Sequence, residues 1–256
     1  MKELDKLIKI MKQLRNPING CPWDRKQTEF SLREYILEES HELVEAIEMG
    51  SVQKQKEELG DVLLQIIFLS QIHRERNNFT VKDVIKTVTE KLIHRHPHIF
   101  GNVKVSTAEE VRQNWEKIKK KQKDNGSILS DYPDQMPALS HAKRISEQAS
   151  SVGFDWNDPI PALEKVEEEV EELKKEIKEL NQQRIEEELG DILFAVANVA
   201  RLAHVNPEFA LKNTNKRFVK RFRYIEEQMK AQGKDIASAS LEEMEALWQE
   251  AKANSL

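Results

Sequence analysis

Two short acidic stretches of identical sequence contain the residues of this chain that are best suited to chemistry. The five residues EELGD occur at 57–61 and again at 187–191. A second acidic stretch precedes each copy, and Glu39 and Glu169 both stand 22 residues before the final aspartate. On a helix, residues three apart project from the same face. The spacing therefore defines two sets of four carboxylates: Glu39, Glu42, Glu58 and Asp61, and then Glu169, Glu172, Glu188 and Asp191.

Four carboxylates that converge on one point predict a bound cation. They repel one another unless a cation compensates them, and ligands that offer only oxygen select Mg²⁺, Mn²⁺ or Ca²⁺ rather than zinc. The alternative is a solvated acidic face, which is common on Glu-rich helices. We expect that state for the glutamates outside the repeated pattern, Glu164, Glu171, Glu176 and Glu179. Identical spacing in two otherwise diverged halves favours metal ligation for the eight repeated carboxylates.

A glycine stands inside each repeated stretch, at Gly60 and Gly190. Glycine within a helix costs about 1 kcal/mol relative to alanine. We therefore expect another backbone or a ligand to approach the helix closely at both positions.

Three further pairs of blocks match in the same order, which indicates a tandem duplication. Each copy of the repeated unit is somewhat over ~100 residues long, a normal domain size. We predict a first unit at 1–122, a linker at 123–136 and a second unit at 137–256. The matching blocks are 20–24 with 153–157, 91–95 with 217–221, and 111–116 with 244–249.

Composition and periodicity predict that both units are helical bundles. Glycine and proline number only 8 each, too few for the many turns of an all-β chain. Apolar residues recur at helical spacing on both sides of a short connection at 49–51, and a third helix is predicted to begin near Val81. In the second unit we expect helices around 161–179, 184–204 and 207–232. The fold class that we predict is all-α.

The apolar fraction of 39% is modest, so each unit alone would bury a thin core. We therefore predict a homodimer in which matching units pair across a two-fold axis.

Several features of the sequence bear on the environment of the protein. The single cysteine, Cys21, excludes an internal disulfide and suggests a reducing compartment. The charged opening segment MKELDKLIKIMKQLR lacks the apolar core of a secretory signal, and the longest apolar run, 62–69, is far shorter than a membrane span. A net charge of -5 argues against general nucleic-acid binding. We expect a cytoplasmic protein without membrane or direct nucleic-acid partners.

The acidic pattern as a whole resembles the MazG-like, all-α nucleoside triphosphate pyrophosphohydrolases. Their motif, EExxE followed by ExxD on a helical pair, stands here as Glu38-Glu39-x-x-Glu42 with Glu58-x-x-Asp61, and as Glu168-Glu169-x-x-Glu172 with Glu188-x-x-Asp191. The blocks at 20–24 and 95–101 extend the likeness along the chain to the two-domain members of the family. The resemblance implies a dimerising four-helix bundle. It also implies hydrolysis of a nucleoside triphosphate to the monophosphate and pyrophosphate with Mg²⁺, or alternatively Mn²⁺, in the removal of unwanted nucleotides.

Such a reaction needs fixed positive charge beside the phosphates as well as a metal ion. Cations on the helix after the second acidic pair could supply that charge, and so could cations beside the acidic residues themselves. The alternative for all of them is ordinary surface charge. Trp248 could stack on a base or, like Trp115, anchor the last helix. The nucleotide-binding candidates are Lys165, Glu168, Arg184, Glu187, Arg217, Lys220, Arg221 and Trp248.

Two glutamates adjoin the predicted metal ligands without belonging to the sets of four. Glu38 and Glu168 are candidates for the general base that accepts a proton from the attacking water, although both could instead extend the metal shell. Trp23 and Trp156 are expected to pack the loop before each acidic helix.

The surrounding charge predicts unequal sites. When the two units are aligned on their acidic motifs, the second has five permanent cations where the first has three and a histidine. We therefore expect the second unit to carry most of the turnover. The cations of the second unit, Lys165, Arg184, Arg217, Lys220 and Arg221, stand opposite Tyr35, Lys54, Lys91, His94 and Arg95.

Two competing hypotheses are a di-iron carboxylate bundle and a non-catalytic helical adaptor. Glu38 and His41 have the Glu-x-x-His spacing of di-iron sites, but Glu171 stands at the position equivalent to His41. An adaptor would not explain two equally spaced acidic sets, each followed by a basic helix.

Overall fold

A computed structural model describes residues 2–108, 110, 111, 114, 115, 118, 127–129 and 136–254. The chain forms two compact units, Met1–Trp115 and Glu116–Leu256. All regular structure within the described residues is helical, which confirms the all-α prediction. Most of the predicted linker at 123–136 lies outside the described residues, so the domain boundaries remain a prediction.

Unit 1 is built around an antiparallel hairpin of two long helices. Thr28 caps the first of them with a reciprocal capping box to Ser31, and Ser51 caps the second. The short predicted connection is confirmed, and Gly50 takes a left-handed φ of 66° there. The hairpin helices are α3 and α4, and α1 and α5 pack against α4. The helices are α1 (Lys2–Leu14), α2 (Pro22–Lys26), α3 (Glu29–Glu48), α4 (Val52–Glu75), α5 (Val81–Arg95) and α6 (Pro97–Phe100).

Unit 2 repeats the hairpin with α8 and α9. Asp158 caps α8, with Pro159 at its first position, and Asn181 caps α9. α7 packs against α9, and α10 packs against α7, α9 and α11. The three helices predicted here are confirmed to within two residues at each end. The helices are α7 (Ala138–Ser150), α8 (Pro159–Glu179), α9 (Gln182–Leu202), α10 (Pro207–Ala231) and α11 (Leu241–Ala253), with a 3₁₀ turn at Ile236–Ser238.

The cores of both units are small. In unit 1, the buried apolar side chains that form one cluster are Met11, Leu32, Ile67, Phe68, Ile72 and Val81. In unit 2, the buried apolar residues are mainly alanines, with Ile225 and Met229. Large apolar side chains instead remain exposed at equivalent positions of α4 and α9. These are Leu59, Leu63 and Ile66 on α4, and Leu189, Leu193 and Val196 on α9.

Among the described residues, the structure contains no helix with the length and apolar character that crossing a membrane requires.

Candidate active site

The hairpin of unit 1 brings three of its four predicted carboxylates together. Oxygen atoms of Glu39, Glu58 and Asp61 all lie within 4.8 Å of one another, and the three side chains are half-buried. α3 supplies the first residue and α4 supplies the other two. Glu42 is exposed and lies outside this group, although its charge still acts on Glu39 and Glu58. We call Glu39, Glu58 and Asp61 the unit 1 cluster.

Burial and mutual repulsion both act on the unit 1 cluster. The pKa of Glu39 is raised by its burial, then by the Asp61 carboxylate, while the Gln65 amide opposes the rise. Burial also raises the pKa of Glu58, with Glu42 and Asp61 adding to the effect. Both glutamates therefore resist ionisation. Gln65 Nε2 donates to Glu39 Oε1 at 3.4 Å.

The hairpin of unit 2 forms an equivalent group with a different membership. Oxygen atoms of Glu169, Glu172 and Glu188 lie within 4.8 Å of one another, and we call these residues the unit 2 cluster. Glu169 is 7% exposed and Glu188 only 2%. Asp191 is exposed and lies outside the group, although it is close enough to raise the pKa of Glu188. Burial contributes most to that rise, and the Arg184 guanidinium opposes it.

Two cations bind the carboxylates of unit 2 directly. Lys165 Nζ lies 2.8 Å from Glu168 Oε1 and 2.9 Å from Glu169 Oε1. Arg184 spans two glutamates of α9, with Nη1 2.7 Å from Glu187 Oε2 and Nη2 2.9 Å from Glu188 Oε1. These contacts raise the pKa of Lys165 and of Arg184. Each cation therefore joins a cluster residue to the exposed glutamate beside it.

The other predicted nucleotide-binding residues lie elsewhere in unit 2. Arg217 Nη2 donates to Thr214 Oγ1 at 2.8 Å, and Lys220 is exposed. The Arg221 guanidinium lies 5.5 Å from the Trp248 ring, which packs against Phe218 at 5.1 Å. These residues lie on α10 and α11, and α10 packs against α7, α9 and α11.

Comparison with known proteins identifies the family. Residues 27–100 and 159–227 match the model of the MazG nucleotide pyrophosphohydrolase domain, and these two segments make up more than half of the chain. The chain belongs to the MazG family. Each matched segment contains one acidic hairpin, and the second also contains Arg217, Lys220 and Arg221 but not Trp248.

Relatives in the MazG family match nearly the whole chain. A protein of Thermotoga maritima named "Nucleoside triphosphate pyrophosphohydrolase/pyrophosphatase MazG" is 47% identical over 97% of this chain and 95% of its own length. The "Nucleoside triphosphate pyrophosphohydrolase" of Escherichia coli (strain K12) is 39% identical over 98% of both chains. A solved structure, a mazG-related protein from Thermotoga maritima, aligns with 45% of this chain and 98% of its own at 28% identity and a TM-score of 0.39.

The donor sets of both clusters in this MazG member fit a hard divalent cation. Their converging atoms are all carboxylate oxygens, which Mg²⁺ and Mn²⁺ accept and which do not form the nitrogen and sulfur sets typical of zinc. Burial, with neighbouring carboxylates adding to it, raises the pKa values of Glu39, Glu58 and Glu188, and a bound cation would favour their ionised forms. His41 is exposed and lies outside the unit 1 cluster, so the geometry does not support a di-iron centre.

The glycines and tryptophans near the clusters have the following surroundings. Apart from the chain neighbours and the backbone of the same helix, no described atom lies within 4 Å of a Cβ built at Gly60 or Gly190, so the close approach predicted there does not come from the described part of their own unit. Trp23 packs edge-on against Tyr35, with ring centroids 5.8 Å apart. Trp156 lines a cavity of about 470 Å³ together with Phe154, Phe194, Asn198 and Arg201.

Sequence reasoning overlooked Gln65 as a residue of the site. The sequence does indicate Gln65, because it is the one polar residue in the run 62–69 and stands one helical turn after Asp61. The equivalent position of the second unit is Ala195.

Proposed function

We infer that this chain is a nucleoside triphosphate pyrophosphohydrolase, which hydrolyses a nucleoside triphosphate to the monophosphate and pyrophosphate. The observation that carries the inference is the recurrence of a convergent carboxylate cluster on the same helix hairpin in both units, within the segments that match the family. Relatives that match nearly the whole chain bear the name of that activity. A reaction that removes unwanted nucleotides fits this chemistry.

The metal ion of each site is Mg²⁺, with Mn²⁺ as the alternative. In unit 1 the ion is held by Glu39, Glu58 and Asp61, and Glu42, three residues after Glu39 on α3, can serve as a fourth ligand. In unit 2 it is held by Glu169, Glu172 and Glu188, and Asp191, three residues after Glu188 on α9, can serve as a fourth ligand. A divalent ion in such a site neutralises phosphate oxygens and lowers the pKa of the attacking water.

The side chains around the unit 2 cluster handle charge and protons. Lys165 and Arg184 are within reach of any phosphate that approaches the cluster, and Arg184 can grip two phosphate oxygens at once. Glu168 is exposed beside Glu169 and can accept the proton of the attacking water, and Glu38 has the equivalent place in unit 1. The water oxygen forms a bond to phosphorus, the anhydride P–O bond breaks, and pyrophosphate leaves.

A homodimer accounts for two features of the described residues. The apolar faces of α4 and α9 are exposed, and each contains a glycine that no other described part of its own unit approaches. In a dimer, Arg217, Lys220, Arg221 and Trp248 of the partner subunit can reach the substrate at this chain's cluster, to bind its phosphates and base. We further propose that the dimer works in the cytoplasm without binding nucleic acid or membranes.

Pyrophosphate release from a mixed pool of nucleoside triphosphates tests the proposed function. Glu172→Ala should remove most of the metal-dependent release while circular dichroism stays unchanged. The matched control is Glu171→Ala, because Glu171 is the exposed neighbour, pairs with Lys174 and lies outside the unit 2 cluster. Wild-type turnover in excess EDTA, or equal loss in both variants, would contradict the proposal.

A further inference from the structure

The two clusters differ in what compensates their charge. In unit 2, Lys165 and Arg184 bind cluster carboxylates at 2.9 Å each. The equivalent positions of unit 1 are Tyr35 and Lys54. Tyr35 packs against Trp23, and Lys54 Nζ points to the Met49 sulfur, 4.0 Å away, instead of to an acidic residue.

The unit 1 cluster thus lacks a cationic partner within the part of the chain that the structure describes. No lysine or arginine there forms an ion pair with Glu39, Glu58 or Asp61. The hydrogen bond from Gln65 reaches Glu39, but an amide carries no net charge. A cation that enters unit 1 therefore displaces no lysine or arginine of the described residues, whereas a cation that enters unit 2 competes with two such side chains.

We propose that metal binding and triphosphate binding are coupled in unit 2 through Lys165 and Arg184, whereas the unit 1 cluster binds a divalent cation without nucleotide. The inference rests on the proposed function and deepens it, since it assigns an order of binding to the same carboxylates. Lys165 and Arg184 act as internal counter-ions that occupy the unit 2 cluster until phosphate oxygens accept them.

The coupling follows from charge and hydrogen bonding. A metal ion that takes Glu169 and Glu188 leaves Lys165 and Arg184 beside a like charge, with charge-assisted hydrogen bonds only to Glu168 and Glu187. Triphosphate oxygens offer both side chains new acceptors of the same kind. Both side chains can move, since they remain 37% and 50% exposed. The coupling is reciprocal between metal and nucleotide, and such couplings typically amount to about 5- to 150-fold.

Two half-disabled proteins separate the sites. Glu58→Gln with Asp61→Asn leaves only the unit 2 cluster, and Glu188→Gln with Asp191→Asn leaves only the unit 1 cluster. Binding of Mn²⁺ without nucleotide is measured from the EPR signal of the free ion. We expect the protein that retains unit 1 to bind Mn²⁺ at least about tenfold more tightly than the one that retains unit 2.

Removal of Lys165 and Arg184 should abolish the difference in Mn²⁺ affinity between the two proteins. In the protein that retains unit 2, Lys165→Met with Arg184→Met should raise Mn²⁺ affinity without nucleotide by at least about tenfold. The control is Lys174→Met, which removes one positive charge from the helix that carries Lys165, but from a pair with Glu171 outside the cluster. We expect that control to change the affinity by well under about tenfold.

An α,β-methylene nucleoside triphosphate tests the coupling directly. It should raise the Mn²⁺ affinity of the protein that retains unit 2, and this increase should vanish in the variant without Lys165 and Arg184. A protein with both clusters disabled measures the chelation of Mn²⁺ by the nucleotide alone. Circular dichroism checks the fold of each protein. If a double variant unfolds, Asp61→Asn alone replaces it in unit 1 and Glu188→Gln alone replaces it in unit 2, since both residues belong to their clusters.

The outcomes distinguish this inference from the proposed function. Equal Mn²⁺ affinity in the two half-disabled proteins without nucleotide would overturn the inference, as would unchanged affinity after the loss of Lys165 and Arg184. Neither result affects the assignment of the clusters as metal sites. If disabling a cluster removes no Mn²⁺ site at all, the metal assignment fails and the inference fails with it.

Discussion

Glu39, Glu58 and Glu188 resist ionisation in the folded chain, because burial and neighbouring carboxylates raise their pKa values. A carboxyl group whose pKa is higher in the folded state than in the unfolded state binds its proton more tightly when folded. Its favourable contribution to stability is complete below the unfolded pKa and is lost as the pH rises through the folded pKa. Without metal, these residues therefore destabilise the protein at neutral pH.

Glu58→Gln is the sharpest probe of this effect, since Glu58 has no cationic partner among the described residues. In EDTA, the variant should melt at a higher temperature than the wild type. The difference should be small below the unfolded pKa and grow as the pH rises through the raised pKa towards neutrality. Mg²⁺ should reduce this difference in melting temperature, because it stabilises only the wild type. Glu34→Gln, an exposed change on α3, is the control, and a pH-independent difference would contradict the argument.

At the scale of elements, the two helix hairpins have the same architecture but differ in the residue that adopts a left-handed φ in the turn. Gly50 and Leu180 hold equivalent positions between the hairpin helices, with left-handed φ values of 66° and 55°. Glycine adopts this conformation without cost, whereas a residue with a Cβ is strained by about 1–2 kcal/mol. The side chain of Leu180 is 85% exposed, so it gains little from packing.

Leu180→Gly should therefore stabilise unit 2. We expect a gain of about 1 kcal/mol, which corresponds to a rise of roughly 2–8 °C in the melting temperature of that unit. Gly50→Leu makes the reverse change in unit 1 and should lower its melting temperature by a comparable amount. Differential scanning calorimetry resolves both shifts. A destabilised Leu180→Gly protein would show that Leu180 has contacts that outweigh its backbone strain.

At the scale of the whole molecule, the exposed apolar faces of α4 and α9 predict assembly. Leu63 and Leu193 hold equivalent positions on these faces. Leu63→Glu with Leu193→Glu should convert a dimer to a monomer in light scattering at micromolar concentration, because each change would bury an unpaired charge. Leu241→Glu is the control, since Leu241 is 72% exposed at the start of α11. A monomeric wild-type protein, or a double variant that stays dimeric, would refute the assignment.

The site in unit 2 should also carry more of the turnover than the site in unit 1. Lys165 and Arg184 place two permanent cations at the unit 2 cluster, whereas the described part of unit 1 places none at its own. Glu58 and Glu188 hold equivalent positions and both belong to their clusters. Because a triphosphate is strongly anionic, Glu188→Ala should lose at least about tenfold more turnover than Glu58→Ala. Pyrophosphate release with the same Mg²⁺ and substrate compares them. Equal losses would show that the cations of unit 2 do not favour its site.

Much of this protein was determined by its sequence, because local patterns encode it. The spacing of the acidic residues, the caps Ser51 and Asn181, and the apolar periodicity specify two helix hairpins without reference to the rest of the fold. The repeated order of blocks specifies the duplication. The sequence also indicates the pairing of Arg184 with Glu188, since residues four apart on a helix are neighbours.

Only the tertiary structure distinguishes residues whose spacing in the sequence is the same. Glu42 and Asp191 have the same spacing as their partners, but both lie outside the clusters. Arg217 and Arg221 follow the acidic helices in sequence, and only the fold shows that their helix, α10, packs against α7, α9 and α11. Gln65 reaches Glu39 only because two antiparallel helices meet there. Such outcomes depend on contacts between residues distant in sequence, which local spacing does not encode.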